Sequence, residues 1–107
     1  MYLNGLDLGG DCLSEQEKYY DFDVLTFPST HYALKAEKLC KNDGIQVAMI
    51  PLPRELSTDC GVALIVLPEE CRNAVDLLRQ EGLSLNGIHR LLRKGKDARL
   101  WQNMLNI

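Results

Sequence analysis

The central stretch of the chain, residues 46–67, reads QVAMIPLPRELSTDCGVALIVL and contains two apolar runs around one polar loop. Both runs are short, rich in β-branched residues and bounded by glycine or proline, a pattern typical of buried strands. We therefore predict two consecutive strands, residues 45–50 and 62–67. The loop between them ends in Cys60-Gly61.

Apolar residues at helical spacing lie on both sides of this pair of strands. The first stripe ends at Gly44, and Ser29 and Thr30 precede it with hydroxyls that can cap a helix. The second stripe follows Pro68, which suits the first turn of a helix, and ends at Gly82. These patterns predict one helix before the strand pair and one after it.

A further strand is expected at residues 23–27, a last strand or an irregular segment at residues 83–92, and a short helix in the tail from Asp97. The element order is then β-α-β-β-α-β with a short C-terminal helix. This order predicts an α+β, split β-α-β (ferredoxin-like) sandwich with both main helices on one face. We divide the chain into an irregular acidic leader, a single α+β domain and a basic C-terminal tail with a short helix: residues 1–20, 21–92 and 93–107.

The composition is that of a globular domain with a modest core, since 46% of the 107 residues are hydrophobic and the net charge is -3. The acidity is concentrated in residues 1–23, where six acids oppose one lysine. No run approaches the roughly 20 apolar residues that span a bilayer, and the N-terminus lacks a basic start followed by an apolar run. We therefore expect a cytoplasmic protein without membrane contact.

The four cysteines, Cys12, Cys40, Cys60 and Cys71, are separated by 28, 20 and 11 positions and form no CxxC pair. Structural zinc sites generally need close pairs, so we expect no metal and no cofactor, and the missing secretory signal predicts reduced thiols. Cys40 and Cys71 lie on helical apolar stripes, where cysteine behaves as a small hydrophobe. Cys12 lies in the leader, which leaves Cys60 as the thiol in a chemically unusual setting.

The Cys60-Gly61 pair allows two interpretations. Bare backbone N–H groups beside the sulfur can lower the pKa of the thiol, and the guanidinium of Arg54 in the same loop can stabilise the thiolate. Alternatively, Cys60 is a small residue entering the core and Gly61 is needed for a bulge or tight bend. Arg54 is then a solvated loop residue paired with Glu55 or Asp59.

A second candidate site lies at the start of the first helix, where Ser29, Thr30 and His31 follow a proline. Free amides, hydroxyls and an imidazole suit an anion, although ordinary capping also explains both hydroxyls. We take the first and third strands as parallel neighbours, which places His31 and Cys60 at opposite ends of the sheet, roughly 17–20 Å apart. His31 is therefore not expected to act as a base for Cys60.

A basic cluster occupies the last part of the chain: Arg90, Arg93, Lys94, Lys96 and Arg99. Such a cluster suits nucleic acid or an acidic partner, but a solvated face that balances the acidic leader is the better explanation. We do not expect nucleic-acid binding. The neighbouring His89 has no evident partner and receives no role.

Two segments of the chain resemble one family of small bacterial proteins. Residues 26–31 read TFPSTH, residues 33–34 and 37–38 read AL and EK, and residues 51–64 read PLPRELSTDCGVAL. Together they are similar to the selenium/sulfur carrier protein-like family, over about residues 22–92.

The resemblance implies a carrier or accessory protein rather than a stand-alone enzyme, in which Cys60 holds persulfide sulfur or selenium. The implied partners are a protein donor and a protein acceptor, and a homo-oligomer is compatible with this role. Further site residues match the two motifs: Arg54, Ser57 and Gly61 around Cys60, and Ser29, Thr30 and His31 in the other segment. The alternative is a non-catalytic interaction or regulatory module with a structural Cys60, in which an open sheet face or edge, the leader or the tail docks a second subunit.

Overall fold

The structure is a computed structural model that describes residues 18–56 and 61–106. Its elements follow the predicted order: β1 (Tyr19–Thr26), α1 (Thr30–Asn42), β2 (Val47–Pro51), β3 (Val62–Val66), α2 (Pro68–Gln80), β4 (Gly87–Lys94) and α3 (Gly95–Met104). β1 begins four residues earlier than expected, and β4 begins four residues later and ends two residues later than the segment expected for the last strand. The two strands pair with each other along all eight residues.

The four strands form one antiparallel sheet in the order β2-β3-β1-β4. β3 lies between the two strands that precede it in the chain, with Leu64 opposite Leu25 of β1 on one side and Met49 of β2 on the other. β2 and β4 are therefore the edges. The prediction of an α+β domain built on a four-stranded sheet is confirmed.

The expected parallel arrangement of the first and third strands is wrong. Thr26, the last residue of β1, pairs with Ala63 near the start of β3, so these two strands are antiparallel. β2 is antiparallel to β3 as well, which makes β1 and β2 run in the same direction. The chain that follows β1 and the chain that enters β3 therefore lie at the same end of the sheet, not at opposite ends.

The helix ends follow the local signals in the sequence. Ser29 caps α1, and its Oγ accepts a hydrogen bond from the N–H of Tyr32 at 3.4 Å. Gly44 follows α1 with φ +81° and Gly82 follows α2 with φ +73°, a left-handed conformation that favours glycine. Local chemistry therefore sets where both main helices stop.

Both main helices pack on one face of the sheet, as expected. Small side chains of α1 and branched side chains of α2 meet the residues of the strands that point to this face. The buried members of the two helices are Ala33, Ala36, Cys40, Ala74, Val75 and Leu78.

The opposite face of the sheet is covered by α3, so the open sheet face that the alternative hypothesis offered as a docking surface is not present where α3 packs. Ala98, Trp101 and Leu105, at i, i+3 and i+7 spacing, are buried in a second core against the sheet. The ring of Trp101 meets Phe22 of β1 edge-on, with 5.2 Å between ring centroids. The basic tail therefore packs as a third layer on the sheet.

None of the helices in the described ranges is both long enough and apolar enough to cross a bilayer.

Candidate functional site

A cleft of about 500 Å³ opens at the end of the sheet where β1 ends and β3 and β4 begin. Three parts of the chain form its walls: residues 26–30, the two sides of the β2–β3 loop, and the entry to β4. The loop contributes Leu52, Leu56 and Gly61, β3 contributes its first residue, Val62, and the β4 region contributes Asn86 and His89.

Backbone hydrogen bonds hold these walls together. The N–H of Asn86 donates to the carbonyl of Thr26 at 2.8 Å, and the hydroxyl of Thr26 donates to the carbonyl of Gly87 at 3.3 Å. On the other side, the N–H of Leu52 donates to the carbonyl of Gly61 at 3.0 Å and closes the neck of the loop. The cleft is therefore framed by ordered backbone.

The structure brings the two motif segments together at this cleft. Ser29 and Thr30 of the first segment and Gly61 of the second all line it. Arg54 and His31 are exposed and are not among the lining residues. The remaining candidates, Ser57 and Cys60, lie outside the described residues.

Gly61 does not have the left-handed backbone conformation that favours glycine. It is not among the glycines with positive φ, and a Cβ built on it would meet nothing within 4 Å. Neither a positive φ nor a close contact with a described residue therefore requires glycine at this position. At this position the missing side chain leaves the backbone open to the cleft.

His89, to which the sequence assigned no role, is a lining residue of the cleft. It lies on β4 opposite Val24, and its Nε2 is 2.9 Å from the point where Gly87 would carry a Cβ. The imidazole therefore lies over Gly87. A glycine two residues before a histidine on a strand is the signal that could have revealed this arrangement, because glycine in a strand often marks a close approach.

The two cysteines within the described residues are poorly suited to thiolate chemistry. Burial raises the pKa of Cys40 to about 11, and the charge of Asp43 adds to the effect. Burial also raises the pKa of Cys71 to about 11, assisted by its hydrogen bond to the carboxylate of Asp23 and by that charge. Both thiols stay protonated near neutral pH, in agreement with their predicted packing role.

Two arginines of the basic cluster form ion pairs with carboxylates of other elements of the fold. The guanidinium of Arg90 donates to both oxygens of the buried Asp23, at 2.9 and 3.3 Å. Arg93 binds Glu55 of the β2–β3 loop, with Nη1 3.0 Å from Oε2 and Nη2 3.3 Å from Oε1. This hydrogen bond is the main reason why the pKa of Glu55 is lowered. Glu55 is thus held by Arg93, whereas the sequence suggested a pairing with Arg54.

Among the described residues, the polar groups that line the cleft are hydroxyls, an amide and an imidazole, and none of them is a carboxylate. Across residues 18–56 and 61–106, no three His, Cys, Asp or Glu side chains are grouped so that they could hold a metal ion. The groups that face the cleft can donate hydrogen bonds, which suits a small anionic or polarisable ligand.

Comparison with known proteins identifies the family. No curated protein and no solved structure matches the chain significantly. A family model matches residues 22–90, more than half of the chain, from within β1 to within β4. The matched range contains both segments that line the cleft and ends before α3. Because the match covers the sheet and the cleft together, the chain belongs to the family described as "Putative Se/S carrier protein-like".

Proposed function

We propose that this protein is a sulfur or selenium carrier that holds its cargo on the thiol of Cys60. The observation that supports the proposal most strongly is the meeting of the two motif segments at one cleft. Gly61, the residue after Cys60 in the chain, lines this cleft together with Ser29 and Thr30 at the start of α1. A thiolate beside the N-terminus of a helix has a lowered pKa, which is what a carrier thiol needs.

The other cysteines support this choice by elimination. The raised pKa values of Cys40 and Cys71 leave almost no thiolate near neutral pH. Cys12 precedes residues 22–90, the range that matches the family model, whereas Cys60 lies inside it. Cys60 is therefore our candidate for the carrier thiol.

The proposed reaction is thiol–persulfide exchange. The thiolate of Cys60 attacks the outer sulfur of a donor persulfide, R–S–SH, and forms a new S–S bond. The S–S bond of the donor breaks and the donor leaves as the thiolate R–S⁻, so that Cys60 carries –S–SH. An acceptor thiolate then attacks the outer sulfur and releases the thiolate of Cys60. Each exchange moves one neutral sulfur atom without net oxidation or reduction, and R–S–SeH transfers selenium by the same steps.

The remaining motif residues have supporting roles in this proposal. Arg54 supplies positive charge in the same loop as the thiol, and Ser57 belongs to that loop as well. Ser29, Thr30 and His31 supply the donors at the start of α1. The donor and acceptor are proposed to be thiol proteins, in a compartment that keeps thiols reduced, the cytoplasm.

We further assign the domain to the split β-α-β, ferredoxin-like class. The insertion of β3 between the parallel strands β1 and β2 supports this assignment, as do α1 and α2 on one face of the sheet. An experimental structure with a left-handed β1-α1-β2 crossover would contradict it.

The proposal is tested by sulfur loading of the full chain. The protein is incubated with glutathione persulfide, and its intact mass is measured before and after treatment with dithiothreitol. We expect a reducible gain of one sulfur atom in the wild type and in the matched control Cys12→Ser, and no gain in Cys60→Ser. A gain that persists in Cys60→Ser, or no gain in the folded wild type, contradicts the proposal.

A further inference from the structure

β4 is an edge of the sheet with features that favour association. Within residues 18–56 and 61–106 it has a neighbouring strand on one side only, so about half of its backbone N–H and C=O groups point away from the sheet. Its eight residues pair with β1 in one continuous register, and none of them is proline. The other edge strand, β2, has five residues and ends at Pro51, which cannot donate a ladder hydrogen bond. β4 is therefore the less protected of the two edges.

Apolar side chains are exposed along this edge. Ile88 is 46% exposed and Leu92 is 51% exposed. Ile88 lies opposite Leu25, a member of the core under α1 and α2, so both side chains are on that face of the sheet, on either side of Arg90. Tyr19, which is 55% exposed, extends the apolar surface onto β1. The middle of β4 thus combines free backbone groups with exposed apolar side chains.

The one charge between these apolar side chains is already paired. Arg90 lies opposite Asp23 of β1, and its guanidinium donates to both carboxylate oxygens, at 2.9 and 3.3 Å. Asp23 is 4% exposed, so the ion pair draws the positive charge of Arg90 toward β1 and away from the free edge. The middle of β4 therefore lacks the unpaired charge that commonly protects an edge strand.

We propose that β4 pairs with β4 of a second copy of this chain and forms a dimer with one continuous sheet. The two strands are antiparallel and are related by a two-fold axis at Arg90. Directly opposite residues of antiparallel strands point to the same face, so such an axis must pass through a residue position and not between two. With the axis at Arg90, Ile88 of each copy lies opposite Leu92 of the other, and both exposed apolar side chains find an apolar partner.

The charges of β4 fit this register as well. Its remaining cations, Arg93 and Lys94, then lie opposite the uncharged Gly87 and Asn86 of the other copy. Arg90 meets its own counterpart at the axis, but each of the two guanidinium groups is bound to the carboxylate of its own chain. No unpaired cation therefore lies directly opposite another cation.

The neighbouring registers fit less well. An axis one residue earlier, at His89, places Arg90 opposite Ile88. An axis one residue later, at Leu91, places Arg90 opposite Leu92. Both registers put a charged side chain against an apolar one, so the sequence of β4 is most self-complementary about Arg90.

The length of β4 limits the strength of the dimer. Its eight residues span about 27 Å. One pair of strands of this length buries less surface than the roughly 1,200 Å² at which stable interfaces begin. We therefore expect a reversible dimer that is half formed at a concentration of about 100 µM.

The test is the oligomeric state of the full chain, measured by sedimentation equilibrium in a reducing buffer, which excludes disulfide-linked dimers. The average mass of the wild type should rise with concentration from 12.1 kDa toward twice that value. Ile88→Glu and Leu92→Lys should each keep the chain monomeric, because each puts a charge opposite an apolar side chain. Leu100→Lys is the matched control and should dimerise like the wild type, because Leu100 is 57% exposed on α3.

The register is tested by mixing the two monomeric variants in equal amounts. Ile88→Glu with Leu92→Lys should dimerise again, because the new carboxylate then lies opposite the new ammonium group while the second pair stays apolar. Ile88→Glu mixed with Leu100→Lys lacks this pairing and should form no heterodimer. The substituted side chains are all exposed, and the emission of the single tryptophan, Trp101, checks that each variant is folded.

Three results would overturn the proposal. The first is a wild type that stays monomeric up to about 1 mM, well above the range of weak specific interfaces. The second is a wild-type dimer that Ile88→Glu and Leu92→Lys leave intact, or whose loss their mixture does not restore. The third is a monomeric wild type in which carbodiimide joins Lys94 to an acid of residues 1–17, because the leader of the same chain would then occupy the edge.

Discussion

Thr26, at the end of β1, lies directly opposite Ala63, near the start of β3. This register determines which chain segments meet at that end of the sheet. It places Ser29 and Thr30, which follow β1, beside Gly61, which precedes β3. Two motifs that are about thirty residues apart in the chain therefore share one cleft.

Gly87→Ala should displace His89 from the cleft. A Cβ at this position would lie 2.9 Å from Nε2 of His89, and the imidazole can respond by rotating away. We expect a change in the imidazole NMR signals of His89 and a loss of stability below about 1.5 kcal/mol, the range of a strained rotamer. Gly61→Ala is the control, because a Cβ there meets nothing within 4 Å. Unchanged His89 signals in Gly87→Ala would contradict the observed position of the ring.

Trp101→Ala should destabilise the fold strongly. Trp101 is 8% exposed and packs on Phe22, so its removal leaves a cavity between α3 and the sheet. We expect a loss of about 3–5 kcal/mol in the free energy of unfolding, measured by urea denaturation. Leu100→Ala, one residue earlier on the same helix, should cost less than about 0.5 kcal/mol because Leu100 is 57% exposed. Equal losses in the two variants would show that α3 does not pack as described.

The buried thiol of Cys40 predicts a loss of stability at high pH. Its pKa rises from 9.0 to about 11 on folding because the thiolate cannot be solvated in the core. The unfolded thiol loses its proton first, so the stabilising contribution is complete below pH 9 and is lost as the pH rises to about 11. The expected loss is about 2–3 kcal/mol.

The contribution of Cys40 is isolated by comparison with Cys40→Ala, since lysines and tyrosines titrate in the same pH range. The difference in unfolding free energy between the two proteins should narrow as the pH rises from 9 to 11. A difference that stays constant over this range would mean that Cys40 is not buried in the core.

Much of the fold could be predicted because its signals are local. Ser29 caps α1, Pro68 opens α2, and Gly44 and Gly82 follow the helices with positive φ, each for reasons that act within a few residues. The spacing of apolar residues then shows which of the intervening segments are strands and which are helices. Such signals also predicted the packing of Cys40, which lies on the apolar stripe of α1.

The arrangement of the candidate site could not be predicted in the same way. The relative direction of β1 and β3 depends on pairing between distant strands, and a wrong choice separated two motifs that the sheet brings together. The position of His89 over Gly87 and the pairing of Glu55 with Arg93 likewise depend on how β4 lies against β1 and on where α3 packs.

The sequence by itself determined the element order, the helix ends and the two motifs that carry the family membership of this chain, because capping, proline and glycine geometry and hydrophobic period are properties of short segments. Only the tertiary structure decided that residues 26–30 and Gly61 share a cleft with His89, and that α3 covers the second face of the sheet. These relationships arise from antiparallel register and from the burial of Trp101. Both depend on contacts between residues far apart in the chain, whose partners no local pattern specifies.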